Sequence, residues 1–198
     1  MAEMEKLICV THRQYVPEPE GGACGFSRFL EQVARVARLR PRAVVLREKD
    51  LSVQAYRRLA RQVKEICAAA DVPLVLHHFR SCALSLGVQA LHLPLPELRA
   101  LPAAQRESFR VLGTSCHTPA EVQEAEQLGC TYVFFGHVFP TDCKPGVPAR
   151  GIAQLAEVCR LARVPVYAIG GVTRRNLSEV LAAGAAGGCS MSGFMRLS

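Results

Sequence analysis

Histidines fall at or near the ends of several apolar runs: His77 and His78 together, then His92, His117 and His137. An imidazole titrates near neutral pH and suits proton transfer. His137 has the most distinctive setting, Phe135-Gly136-His137-Val138-Phe139-Pro140-Thr141-Asp142-Cys143-Lys144. Gly136 would let a ligand lie close to the backbone beside it. The competing reading of His137 is purely structural. Histidines at successive strand ends can also build a metal site, but no His-x-His pair occurs and clear carboxylate ligands are missing. No metal and no cofactor are expected. His92, between Leu91 and Leu93, reads equally well as a satisfied core histidine. Alternation along a strand prevents His77 and His78 from facing the same way, so one of them is structural.

A second set of residues suits anions. Leu46-Arg47-Glu48-Lys49-Asp50 closes a strand pattern, with Arg47 and Lys49 on one side and Glu48 on the other. Two cations at a strand end make an anion clamp, or are simply charged because strand ends are wet. Ala168-Ile169-Gly170-Gly171-Val172-Thr173 runs from a strand pattern toward a helical one, and Gly188-Cys189-Ser190-Met191-Ser192-Gly193 is rich in small residues. Glycines let backbone N–H groups approach a phosphate closely, and a helix N-terminus favours negative charge.

These residues need elements to position them. Apolar runs at 7–11, 43–47, 73–77, 90–93, 111–115, 132–136, 166–170 and 188–190 read as strands. Helical spacing predicts helices over 26–39, 52–69, 118–128, 152–162 and 173–183, with Ser52 as an N-cap. The stretch 94–106 is weaker, and 80–86 reads as a short connection. Eight strands alternating with helices point to a (β/α)₈ TIM barrel, class α/β, occupying 1–198 as one domain. Such barrels commonly bind phosphate at the loops after strands seven and eight. The longer gaps are 17–25 and 140–151, and long loops at strand ends are where function usually sits.

Composition narrows the classes. With 198 residues, 49% hydrophobic, the chain supports one sizeable core. No apolar stretch approaches the ~20 residues a membrane crossing needs. The start, MAEMEKLICVTHR, lacks the basic opening and long apolar region of a signal peptide, so a cytoplasmic protein is expected. Nine cysteines without a CxxC pair suggest reduced thiols, with Cys9, Cys67 and Cys189 acting as small hydrophobes. The +7 charge comes mainly from arginines on predicted helices and loops. No nucleic-acid module accompanies it, so nucleic acid and membrane are not expected as partners.

Taken in order, Leu46-Arg47-Glu48-Lys49-Asp50, Gly113-Thr114-Ser115-Cys116-His117-Thr118, Phe135 to Thr141, Gly146 with Arg150-Gly151, and Ala168-Ile169-Gly170-Gly171-Val172 resemble the thiamine phosphate synthase/TenI superfamily. Synthases of that family usually carry an Asn-Asp pair serving Mg²⁺ and pyrophosphate where this chain has His77-His78. They usually have an acid where it has Leu93-Pro94, and Gly-Pro where it has Gly136-His137. The histidine form resembles the TenI-like thiazole tautomerases. That resemblance implies an isomerase acting without metal on a thiazole phosphate. In it His137 transfers the proton, and Lys49 and Arg47 hold the carboxylate and stabilise charge. Gly170, Gly171, Ser190, Met191, Ser192 and Gly193 would bind the phosphate, with Thr114, His117 and Lys144 lining the pocket. The alternatives it leaves are a thiamine phosphate synthase with an altered metal site and a non-catalytic thiazole-phosphate-binding regulator. The substrate is a small molecule in each case, and a homodimer is compatible with the family.

Overall fold

Strands covered on both faces read as unbroken apolar runs, and the first strands here are of that kind. The computed structural model describes residues 3–16, 26–141 and 146–197. Lys144 and the loop 17–25 therefore lie outside the described residues. A 3₁₀ turn at Met4–Lys6 leads into β1 (Leu7–Val10), and a second turn, Arg13–Tyr15, follows it. Next come α1 (Ser27–Arg38), β2 (Ala43–Leu46), α2 (Val53–Ala69), β3 (Leu74–His77) and α3 (Arg80–Ser85). They are followed by β4 (Ala90–Pro94), α4 (Leu95–Ala100), α5 (Ala103–Arg106), β5 (Val111–Cys116) and α6 (Pro119–Gln127). The chain continues through β6 (Tyr132–Gly136), α7 (Gly151–Leu161), β7 (Val166–Ile169), α8 (Leu177–Ala182), β8 (Gly187–Ser190) and α9 (Ser192–Met195). The strands run in sequence order in a closed parallel barrel, the (β/α)₈ architecture expected.

Contacts divide the chain into two compact units, 1–88 with 191–198, and 89–190. In the first, β1 pairs with β2 from Ile8–Ala43 to Val10–Val45, and β2 with β3 from Val44–Leu74 to Leu46–Leu76. Helix α2 begins where the Ser52 side chain accepts from the Ala55 amide at 3.2 Å. Its apolar stripe, Tyr56, Leu59, Ala60, Val63 and Cys67, is buried. Burial pushes the Cys67 thiol up to about 12, as befits a packed hydrophobe. Cys9 and Cys189 are buried as well. In the second unit β4 to β8 pair in parallel, each with the next. Thr118 caps α6 by accepting from the Glu121 amide at 3.2 Å. No helix among the described residues is long and apolar enough to cross a membrane.

Three local readings change. Residues 80–85 form a helix rather than a bare connection. The stretch 94–106 is two helices, because Pro102 has no amide to continue the first and instead precedes the second. The helix expected from Thr173 starts only at Leu177. Asn176 is the cause: its Oδ1 accepts from the Thr173 amide at 2.8 Å, and its Nδ2 donates to the Gly171 carbonyl at 3.0 Å. A side chain that bonds the local backbone competes with helix.

Tyr56 shows how a helix fixes the strands beneath it. Its buried hydroxyl donates to the Leu46 carbonyl at 2.7 Å and accepts from the His77 amide at 3.1 Å. Tyr56→Phe keeps the ring and removes both bonds. It is expected to destabilise the protein by about 1–3 kcal/mol in a urea titration, the cost of depriving buried polar groups of a partner.

Candidate active site

The expected anion clamp sits just beyond β2 rather than within it, since the strand ends at Leu46. Burial still alternates as read: Arg47 is half-buried, Glu48 is 2% exposed and Lys49 is exposed. Glu48 turns inward to organise the turn after β1. Its Oε1 accepts from the Thr11 hydroxyl at 2.6 Å, and both carboxylate oxygens accept from the Arg13 amide, at 3.2 and 3.1 Å. Thr11 Oγ1 in turn accepts from the Arg47 amide at 2.9 Å. Arg13 also pairs with Asp50. The buried acid thus fixes the backbone from which the Arg47 and Lys49 side chains project. Burial and the Arg47 cation hold the nearby His12 imidazole below its usual range. At the next strand end His77 is buried and His78 exposed, as alternation requires, and His78 adopts φ +69°.

The second unit holds the other histidines. His137 is 5% exposed, and its Nε2 lies 3.1 Å from the Val147 carbonyl. A carbonyl only accepts, so Nε2 carries a proton. Likewise His117 Nδ1 donates to the Gly136 carbonyl at 2.6 Å, where Arg150 Nε also donates at 3.3 Å. The amides of Arg150 and Gly151 donate to the carbonyls of His137 and Val138, at 2.9 and 3.0 Å. These bonds tie Arg150-Gly151 to the segment that follows Gly136.

Residues 138–139 also run against the loop after β7. The Val138 amide donates to the Ile169 carbonyl at 2.9 Å, and the Phe139 amide to the Gly170 carbonyl at 3.0 Å. Gly170 has φ +90°, and a Cβ there would collide with His137. At Gly171, φ +67°, a Cβ would come within 2.6 Å of the Pro140 carbonyl and 2.7 Å of Phe139. The Gly-Gly pair is therefore demanded by the close approach of the His137 loop. Ser190, at the end of β8, is buried. In the first unit Met191 is half-buried, and Ser192 and Gly193 are exposed at the start of α9. Thr114 is fully buried and its hydroxyl donates to the Leu93 carbonyl at 2.7 Å, so it braces β4 and β5. Lys144 lies outside the described residues.

His92 is the satisfied core histidine that its place between Leu91 and Leu93 suggests, and only its partners were not legible in the sequence. His92 is 1% exposed, with Nδ1 3.0 Å from the Tyr132 hydroxyl and Nε2 2.9 Å from the Ser115 hydroxyl. The available signal was positional: Ser115 and Tyr132 lie on the two strands that follow His92.

The profile of the family described as thiamine monophosphate synthase, TMP-TENI, matches residues 17–194. The chain belongs to this family. It is 35% identical to "Thiamine-phosphate synthase 2" of Streptococcus pneumoniae over 160 residues, 80% of the chain and 76% of that protein. It is 30% identical to "Thiamine-phosphate synthase" of Enterococcus faecalis over 196 residues, 98% of the chain and 89% of that protein. Its fold resembles a solved thiamine phosphate pyrophosphorylase from Pyrococcus furiosus with a TM-score of 0.81. That pair is 25% identical and covers 98% of this chain and 89% of the other. These family members are named synthases, which are transferases, and they overturn the isomerase expected from His137. The physical reason is that one imidazole in place of proline does not define a reaction. Here its Nε2 is occupied by a backbone carbonyl.

Two outcomes follow from this geometry. Gly170→Ala combines a left-handed φ with a collision, and is expected to lose at least about 2 kcal/mol of stability in a thermal melt. Burial, set against the Thr11 and Arg13 bonds, holds the Glu48 carboxyl above its ordinary 4.5. A carboxyl raised on folding contributes stability that is complete below the unfolded value and lost as pH rises through the folded one. Urea midpoints taken from about pH 4 upward should therefore move in favour of Glu48→Gln relative to the parent as pH rises.

Proposed function

We propose that this protein is a thiamine-phosphate synthase with an altered metal site, joining the two phosphorylated halves of thiamine with loss of pyrophosphate. The observation that carries the reading is the 30% identity to the E. faecalis synthase along 98% of the chain. On this reading Gly170, Gly171 and Ser190 of the second unit bind phosphate oxygens; in the first unit Met191, Ser192 and Gly193 offer phosphate contacts and Arg47 and Lys49 offset negative charge. His117 and His137 fix the backbone around the end of β6. Backbone N–H groups and fixed cations stabilise developing negative charge without reorganising.

The residues do not fit the magnesium that synthases of this family use. A hard cation takes oxygen ligands, yet His77-His78 stand where the synthases' Asn-Asp pair is expected and Leu93-Pro94 where an acid is expected. Among the described residues no three His, Cys, Asp or Glu side chains gather where a metal ion could be held. No step is assigned to a metal. The same mismatch favours a second reading, a barrel that binds the thiazole phosphate without turning it over.

Incubation with both phosphorylated halves, with and without Mg²⁺, separates the two. Thiamine phosphate and pyrophosphate are expected as products, and binding of the thiazole phosphate with no product under either condition would overturn the synthase reading. Lys49→Ala is expected to lower kcat/KM about tenfold, equivalent to ~1.4 kcal/mol of transition-state stabilisation.

A further inference from the structure

The positive charge of this chain is concentrated in one stretch. Of the 24 Lys or Arg and 17 Asp or Glu, residues 28–64 hold eleven and three, which leaves thirteen and fourteen elsewhere. Arg47, Glu48, Lys49 and Asp50 cancel within that stretch, so the excess lies on α1, α2 and the segment between α1 and β2. Helix α1 carries Arg28, Arg35 and Arg38 with Glu31 as its one acid, and α2 carries four cations with Glu65. Arg28, Glu31, Arg35 and Arg38 follow one another by three or four residues, as do Arg58, Arg61 and Lys64, so each set shares a side of its helix. These residues are all exposed, while Phe29, Val33 and Val36 of α1 and Leu59 and Val63 of α2 are buried. The two helices lie against each other within the first unit.

Little in the surrounding structure offsets this charge. Arg40 pairs with Asp71 at 3.1 Å, but their side chains are 63% and 93% exposed, so water screens the pair. Arg35 and Lys64 donate to the carbonyls of Leu197 and Leu86, which keeps both charges uncompensated. Arg58 and Arg61 enter no ion pair among the described residues. Like charges a helical turn apart repel, so the cationic ridge weakens its own helix. Solubility requires net charge, yet it does not require that charge to gather on two neighbouring helices.

We propose that the outer face of α1 and α2 docks an acidic surface of a different protein. Guanidinium forks grip carboxylates through paired hydrogen bonds, and complementary charge guides such encounters. A second copy of this chain is a poor counterpart. Its own α1 and α2 would repel, and the acids of its α6 are engaged: Glu124 with Arg99, Glu121 with the His117 amide and Glu126 with the Arg163 amide. A helix lying on a membrane inserts its apolar side, and the apolar sides of α1 and α2 are buried in the fold. Single-stranded RNA is held by stacking on aromatic rings, and the aromatic residues of these helices, Phe29 and Tyr56, are buried. The proposal is independent of the synthase reading.

The test titrates the full-length chain with three probes. They are a glutamate-rich helical peptide of about 20 residues, long enough to hold its helix, a single-stranded RNA of matching length, and phosphatidylserine vesicles. The peptide should bind more tightly than the other two, and its Kd should rise at least about tenfold between about 50 and about 300 mM NaCl as the charges are screened. Arg58→Glu combined with Arg61→Glu changes exposed positions and should weaken peptide binding about tenfold or more. Arg110→Glu combined with Arg160→Glu alters the net charge equally, at exposed positions of the second unit, and should leave binding within about twofold of the parent. Thermal melts of both variants confirm that each is folded. Equal losses in the two variants would mean that net charge alone is sensed, and would overturn the proposal. Tighter binding of the RNA or the vesicles, or no peptide binding at the lower salt, overturns it as well.

Discussion

The loop after β6 and the loop after β7 touch backbone to backbone, and much of the candidate site follows from that contact. Two amide-to-carbonyl bonds, Val138 to Ile169 and Phe139 to Gly170, draw the segments together. At that separation Gly170 and Gly171 cannot carry side chains. Gly136 is constrained similarly, since its Cβ would strike the Ile169 carbonyl. Two further amides, from Arg150 and Gly151, hold the far side of the His137 loop. A peptide segment secured from both sides sets its side chains with little freedom, which is the condition a preorganised binding surface needs.

Buried polar groups elsewhere obey the same requirement that each find a partner. Glu48 is held by Thr11 and the Arg13 amide, Thr114 by the Leu93 carbonyl, and Tyr56 spans Leu46 and His77. Each of these bonds crosses from one strand or strand end to another element. They add directional links between elements to a barrel whose register the strand ladders set. Position-dependent chemistry at strand ends depends on that register.

Family membership and residue chemistry bear on different questions. Membership rests on the match across residues 17–194 and on relatives named as synthases. At His77-His78, Leu93-Pro94 and His137 the residues differ from those that the resemblance to the synthases implies. A histidine at position 137 does not by itself define a reaction. Its Nε2 proton is directed at a main-chain carbonyl. In this structure the histidine is a brace for the loop that follows β6.

Several features were legible in the chain alone. Apolar runs marked the strands, unbroken at β1 and β2, because strands covered on both faces need no polar alternation. The stripe in 53–69 with Ser52 before it gave α2, and the alternation at 47–49 and 77–78 gave the burial of Glu48 and His77. Local stereochemistry and period suffice for these. Other features belong to tertiary structure. Asn176 delayed α8 by bonding back to Thr173 and Gly171, and Gly170-Gly171 proved to be shaped by the neighbouring loop. His92 read as a core histidine and is one, but its partners Tyr132 and Ser115, at sequence separations of 40 and 23, come from other strands. Such pairings depend on strand register, and register is settled only when the whole sheet packs.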